Sequence, residues 1–204
     1  IRFFACGEYG SEDGEFPLQP HYHALLFNYR PPDLKLHSKT KNIPLYTSEK
    51  ISKLWINTST KNSLGFSTVG ELTYETAAYC ARYVVKKIGG EQAASYYTRL
   101  HPITGALCQV KPEFMVSSRR PGIGDAWYET FKNDIYPSDF CVVNRKKHPV
   151  PKYYVKKLQE EERQKIKRRR KANSNKKRAD NTPARLLARE QVQLAQASVL
   201  KRKL

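Results

Sequence analysis

Cysteine is sparse and unpaired in this 204-residue chain: Cys6, Cys80, Cys108 and Cys141 lie far apart, with no CxxC and no zinc-ribbon spacing. That pattern argues against a disulfide scaffold or a structural zinc module and leads us to expect reduced thiols in a cytosolic setting. No stretch approaches the roughly 20 apolar residues of a membrane span, so a soluble protein with no membrane partner is expected. The charged, apolar and small-residue series of a signal peptide is missing as well; "IRFFACGEY" begins directly as a strand and reads as the continuation of a longer sequence. Internal repeats are absent. Acid is also short, with 19 Asp and Glu against 37 Lys and Arg, a formal net charge of +18. Such an excess favours polyanions through counterion release. Nucleic acid is the expected partner, and a basic tail that binds nothing specific is the plain alternative.

Two strand candidates come first. Residues 1 to 9 and "HYHALLFNY" from His21 flank "GSEDGEFPLQP", whose Gly, Asp and Pro mark a connection, so a long hairpin is expected. Residues 30 to 47 read as a Pro- and Lys-rich loop. "SEKISKLW" reads as a short helix with Ser48 as N-cap and Glu49 suited to its dipole, and "LGFSTVGEL" returns to strand-like composition. In "TYETAAYCARYVVKKIGG", Thr73 can cap, Glu75 lies in the first turn, Lys86 and Lys87 lie in the last, and Gly89 and Gly90 stop the helix. Residues 100 to 151 are mixed, with "RRPGIGDAWYETF" leading into a short helix that packs Trp127, Tyr128 and Phe131. From Lys152 the chain turns basic and nearly devoid of apolar residues, too polar to order itself independently. Helical periodicity returns over 183 to 204, with Leu187, Ala188, Val192, Ala195 and Val199 near one face. The expected organisation is a domain over 1–151 and a basic tail over 152–204, largely disordered or helical. Strands followed by helices imply an α+β fold, an antiparallel sheet with helices on one face.

Two constellations carry chemistry. In a strand, residues two apart share a face, so His21 and His23 project together while Tyr22 points away. Five scattered histidines would produce an H-x-H in about one such chain in eight, so a polar pair without a ligand stays open. If the first two strands pair, Glu8 lies beside the histidines, and two imidazoles with one carboxylate would hold a divalent ion able to polarise an oxygen. Imidazole suits Mn²⁺ better than Mg²⁺, and zinc would accept the same set; Mn²⁺ or Mg²⁺ is the expected cofactor. A lone strand-end glutamate is otherwise a solvated carboxylate. On the capped helix, Tyr79 and Tyr83 fall roughly 40° apart around the axis and about 6 Å along it, with Lys86 continuing the stripe. With 13 tyrosines in the chain, a core-facing pair is the bland reading. Read together with the charge, a phenol can attack a phosphodiester where a metal and a cation stabilise the developing charge.

"GEYG…PHYHALLF" followed by "YCARYVVK" resembles the HUH endonucleases, specifically the rolling-circle replication initiators of small single-stranded DNA phages of the microvirus, gokushovirus-like type. The likeness runs over roughly residues 1 to 90, and "PEFMVSSRRPGIG" to "YPSDF" is similar to the continuation in that family. The resemblance implies a split βαβ sheet with the tyrosine helix laid across it. It implies metal ligands at His21, His23 and Glu8, nucleophiles at Tyr79 and Tyr83, and a supporting cation at Lys86. It also implies nicking and rejoining of single-stranded DNA at a replication origin through a 5′-phosphotyrosine, work alongside the host replication machinery, and a place in the host cell cytoplasm. Tyr22 departs from the aliphatic residue usual between the histidines, and the strand bearing the first family motif would precede Ile1. Two other readings remain: a non-catalytic single-strand nucleic-acid-binding module that stacks bases on exposed aromatics, and a metal-dependent hydrolase that uses activated water and leaves no protein–DNA adduct.

Overall fold

The computed structural model describes residues 1–10, 19–40, 43–82, 87–101 and 104–199. Among these residues the chain is α+β, as expected, with small antiparallel sheets and seven α-helices. It divides into two compact units, Ile1–Ile123 and Gly124–Leu204. The change of composition at residue 152 therefore falls inside the second unit.

The first unit is organised by strand β1 (Arg2–Tyr9), which lies between β2 (Pro20–Phe27) and β7 (Phe114–Ser117) in a three-stranded antiparallel sheet. The expected hairpin pairs in one unbroken register, from Arg2 opposite Phe27 to Tyr9 opposite Pro20. β1 is central because both of its faces are covered: Cys6, Gly7 and Glu8 are consecutive and all buried, whereas a strand with one wet face would alternate. β7 joins from more than a hundred residues away, and Ser118 closes the corner by donating its N–H to the Phe3 carbonyl at 2.9 Å.

Residues 30 to 47 depart from the loop that their Pro and Lys content suggests. β3 (Lys35–Thr40) and β4 (Ile43–Thr47) form an antiparallel hairpin with a bulge between Leu36 and Ser38. Leu36 and Ile43 stay exposed, so the pair has little of the buried-face alternation by which strands announce themselves. The reverse holds for "LGFSTVGEL": it forms no strand, and one isolated bridge, Val69 with Tyr46, ties it to β4. Helix α1 (Glu49–Leu54) starts as expected at Ser48, whose Oγ accepts from the Ile51 N–H. The same hydroxyl donates to Asp33 at 2.7 Å, and the other Asp33 oxygen accepts from the Lys50 N–H at 2.8 Å. Those hydrogen bonds hold the Asp33 carboxyl below the usual carboxylate range.

Helix α2 (Tyr74–Arg82) opens with a reciprocal cap: the Thr76 N–H donates to Thr73 Oγ1 at 3.2 Å, and the Thr73 N–H donates to Thr76 Oγ1 at 2.8 Å. This is a capping box with threonine in the place of the usual acid. Short helix α3 (Gln92–Tyr96) then leads into the hairpin of β5 (Thr98–Leu100) and β6 (Leu107–Gln109).

The second unit contains helix α4 (Asp125–Ile135), the hairpin of β8 (Phe140–Val143) and β9 (Lys146–Pro149), and helices α5 (Lys152–Lys157), α6 (Glu160–Lys176) and α7 (Pro183–Val199). The two-residue turn between β8 and β9 sets Asn144 and Arg145 at φ 49° and 62°, the left-handed pair that suits a tight hairpin. Tyr128, Ile135, Val150 and Tyr154 form its core, with the rings of Tyr128 and Tyr154 stacked at 4.9 Å. Of the aromatics expected to pack on α4, Tyr128 is buried, while Trp127 and Phe131 lie half-exposed against each other. The basic segment is helical in α6, anchored by buried Ile166 and by a two-pronged contact from Arg170 to Asp139 at 2.6 and 2.7 Å. A bidentate guanidinium–carboxylate pair supplies to a polar helix the tertiary contact that its sequence cannot.

Gly124 N-caps α4 at φ 77°, and its carbonyl accepts from the Tyr154 hydroxyl at 3.1 Å. A Cβ there would sit 2.4 Å from that hydroxyl oxygen. Gly124→Ala is expected to lower the stability of the second unit by about 1–3 kcal/mol, combining left-handed strain with overpacking. Chemical denaturation followed by tryptophan fluorescence checks this, and an unchanged midpoint would contradict the packing.

Candidate active site

The antiparallel register determines which side chains share a face. Glu8 stands opposite His21 and Cys6 opposite His23, so these four project from one side of the sheet, while Gly7 and its partner Tyr22 project from the other. Glu8 is 7% exposed, and a carboxylate removed from water needs a compensating partner. His23 provides one: its Nε2 lies 3.2 Å from Glu8 Oε1, the spacing of a hydrogen bond in which the imidazole donates. His21 shares the face but is solvent-exposed.

Helix α2 covers this face. Cys6 Sγ donates to the Cys80 carbonyl at 3.7 Å, which seats the helix against the middle of β1. One residue earlier on the helix, the Tyr79 ring meets His23 edge-on with centroids 5.7 Å apart. Three elements therefore bring together a carboxylate, an imidazole and a phenol at Glu8, His23 and Tyr79. Tyr83 and Lys86 lie outside the described residues. Arg82 is a residue that the sequence reading passed over: its guanidinium lies over the Tyr79 ring, 5.6 Å from the centroid. The i,i+3 spacing from Tyr79 to Arg82 on a capped helix is the signal that could have found it.

Electrostatics mark the same spot. The Cys6 thiol is pushed up to about 11 from an ordinary 9.0, first by burial, then by Cys80 and Glu8. Burial and Glu8 also raise the Cys80 thiol. Glu8 thus acts on both sulfurs at the junction of sheet and helix.

Among the described residues, no group of three His, Cys, Asp or Glu side chains is gathered in metal-holding geometry. The donor chemistry nevertheless suits a divalent ion. Glu8 Oε1 and His23 Nε2 already converge across 3.2 Å on the place of a shared proton, and His21 is on the same face directly across from Glu8. No helix among the described residues is long and apolar enough to cross a membrane.

Comparison with known proteins agrees with the motifs. The family model for the ORF2-type replication-associated proteins matches residues 1–88, the stretch that contains the sheet hairpin and α2. Replication-associated protein VP4 of Bdellovibrio phage phiMH2K is 32% identical over 158 residues, covering 76% of this chain and 42% of that protein. Replication-associated protein ORF2 of Spiroplasma virus 4 is 33% identical over 166 residues, covering 79% of this chain and 44% of that protein. The chain is thus a relative of the phage replication-associated proteins, and the resemblance to phage replication proteins is borne out. It spans less than half the length of the curated relatives it matches. No solved structure matches it.

The raised Cys6 value ties the packing of α2 to pH. A thiol whose folded value is raised favours the protonated fold, so this contribution is fully present below pH 9 and is lost as pH rises through about 11. Native protein treated with iodoacetamide at pH 8.5 should be labelled at half-buried Cys108 well before Cys6, which is 1% exposed. Equal labelling rates by mass spectrometry would show that α2 does not cover this face.

Proposed function

We propose that the chain carries the nicking and joining centre of a replication initiator that opens single-stranded origin DNA for rolling-circle replication. The observation that supports it most is the meeting of Tyr79 with His23, and of His23 with buried Glu8, from three elements well separated along the chain. In the family resemblance Glu8 and His23 stand where metal ligands would and Tyr79 where a nucleophile would.

In this reading the Tyr79 oxygen attacks the scissile phosphorus, the phenol gives up its proton, and the bond from phosphorus to the 3′ oxygen breaks. The departing 3′ oxygen takes a proton and becomes the hydroxyl that the host replication machinery extends. The 5′-phosphate stays on the tyrosine. Tyr83 is the second nucleophile, which attacks the regenerated origin after one round, and Lys86 is the cation that supports phenolate or leaving oxygen. Arg82 adds a positive charge over the Tyr79 ring, where negative charge develops on deprotonation. Mn²⁺ or Mg²⁺ held by Glu8, His21 and His23 would supply charge stabilisation on the phosphate oxygens. The work belongs in the host cell cytoplasm, and the net charge of +18 favours the polyanionic substrate.

The test uses single-stranded origin DNA, Mn²⁺ and denaturing gels. Tyr79→Phe with Tyr83→Phe should abolish the covalent adduct, and an undiminished adduct would defeat the assignment. Cleavage with no adduct at all would favour a hydrolase using activated water. His21→Ala with His23→Ala should lower divalent-dependent nicking by about 100-fold or more and leave salt-sensitive DNA binding nearly unchanged. Nicking that survives both substitutions and chelator would make the histidines structural.

A further inference from the structure

The sheet face turned away from Glu8 and His23 carries a run of aromatic rings that the nicking chemistry does not use. Tyr22 lies across from Gly7, and Phe114 lies across from Gly7 on the other side, so both rings flank the one position on β1 without a side chain. The fit is close: a Cβ on Gly7 would fall 2.4 Å from Phe114 Cε1. Tyr22 meets Trp55 edge-on at 5.2 Å and Phe114 at 6.2 Å. Tyr9, two residues beyond Gly7 on the same face, continues the run and is pinned by donating its hydroxyl to the Lys111 carbonyl at 2.9 Å.

The run then meets a cation. The Arg99 guanidinium lies 4.5 Å from the Tyr9 ring centroid and 5.8 Å from that of Tyr96. Among the described residues no carboxylate pairs with it. A guanidinium held by ring faces keeps its edge donors directed at whatever anion arrives. Tyr22 is 52% exposed, Phe114 and Tyr96 46% each. Rings this exposed, close enough together to take successive bases and joined to an anion-seeking cation, match the two needs of a single strand: stacking for bases and charge for phosphates. A face built to pack against an apolar partner would gain nothing from Arg99.

We propose that Trp55, Tyr22, Phe114, Tyr9, Arg99 and Tyr96 form a stacking platform for single-stranded DNA, on the face opposite the candidate nicking centre. The choice of DNA rests on the function proposed above; the platform itself rests on this geometry. Tyr22 is the hinge of the arrangement, because its backbone neighbours His21 and His23 point to the other face. One edge strand thus serves both surfaces, and a single strand bound to the platform passes the edge that holds the histidines.

Fluorescence anisotropy of a labelled 12-nucleotide oligothymidylate with the 204-residue chain tests the proposal. Tyr22→Ala and Arg99→Ala should each weaken binding about tenfold, while Tyr22→Phe, which keeps the ring, should bind like the unsubstituted protein. Arg99→Ala should also flatten the dependence of log affinity on log salt by about 0.7, one phosphate's worth for a single strand. Affinity unchanged within twofold in both alanine variants would overturn the platform. So would a fall in thermal midpoint with unchanged affinity, which would make the face an internal packing surface. Adduct formation measured alongside separates the two claims: normal stacking with no adduct sinks only the nicking proposal, and normal adduct with no change in affinity sinks only this one.

Discussion

Everything in the first unit depends on how β1 pairs with β2. A shift of one residue would send Tyr22 under α2 and turn both histidines away from Glu8. Glu8 opposes the shift directly, and its neighbours Cys6 and Gly7 fix β1 itself against α2 and β7. Cys6 must reach the Cys80 carbonyl, Gly7 must lie beneath Phe114 where a Cβ cannot fit, and Glu8 must reach His23. The strand is therefore specified from both faces at one point, and the candidate active site is built at that point.

The same pairing settles the electrostatics. Glu8 is buried where β1 brings the Cys6 thiol and α2 brings the Cys80 thiol and the Tyr79 phenol, and the His23 imidazole compensates its charge. Burial first, then Cys80 and Glu8, raise the Cys6 thiol beside this pair, and the proposed cation would be held by the same carboxylate and imidazole. Arg82 over Tyr79 brings positive charge from the other side. Structural stability and the chemistry proposed here thus depend on one small cluster.

The elements that were legible in the sequence are those with a local physical signal. The turn-rich connection between two strand-like runs marked β1 and β2 as a hairpin, and Ser48 and Thr73 marked the starts of α1 and α2 because a hydroxyl cap is a local hydrogen bond. The meeting of Glu8 with His23 followed from the expected hairpin. What stayed hidden needed partners distant in sequence. β7 is four residues long and half-exposed, and it is a strand because β1 has an open edge. The β3–β4 hairpin has little buried face, and α6 orders around Ile166 and Asp139 rather than through any periodicity of its own. The contact of Tyr79 with His23 was implied only by resemblance, since no spacing along the chain shows which face of α2 meets the sheet.

One measurement goes to the centre of the account. The unsubstituted protein is incubated with single-stranded origin DNA and Mn²⁺, digested with nuclease and trypsin, and the modified peptide is sequenced by mass spectrometry. The account predicts a nucleotide joined through its 5′-phosphate to the peptide that contains Tyr79 or Tyr83. A cut strand with no modified peptide, or a nucleotide on a tyrosine other than Tyr79 or Tyr83, would contradict it.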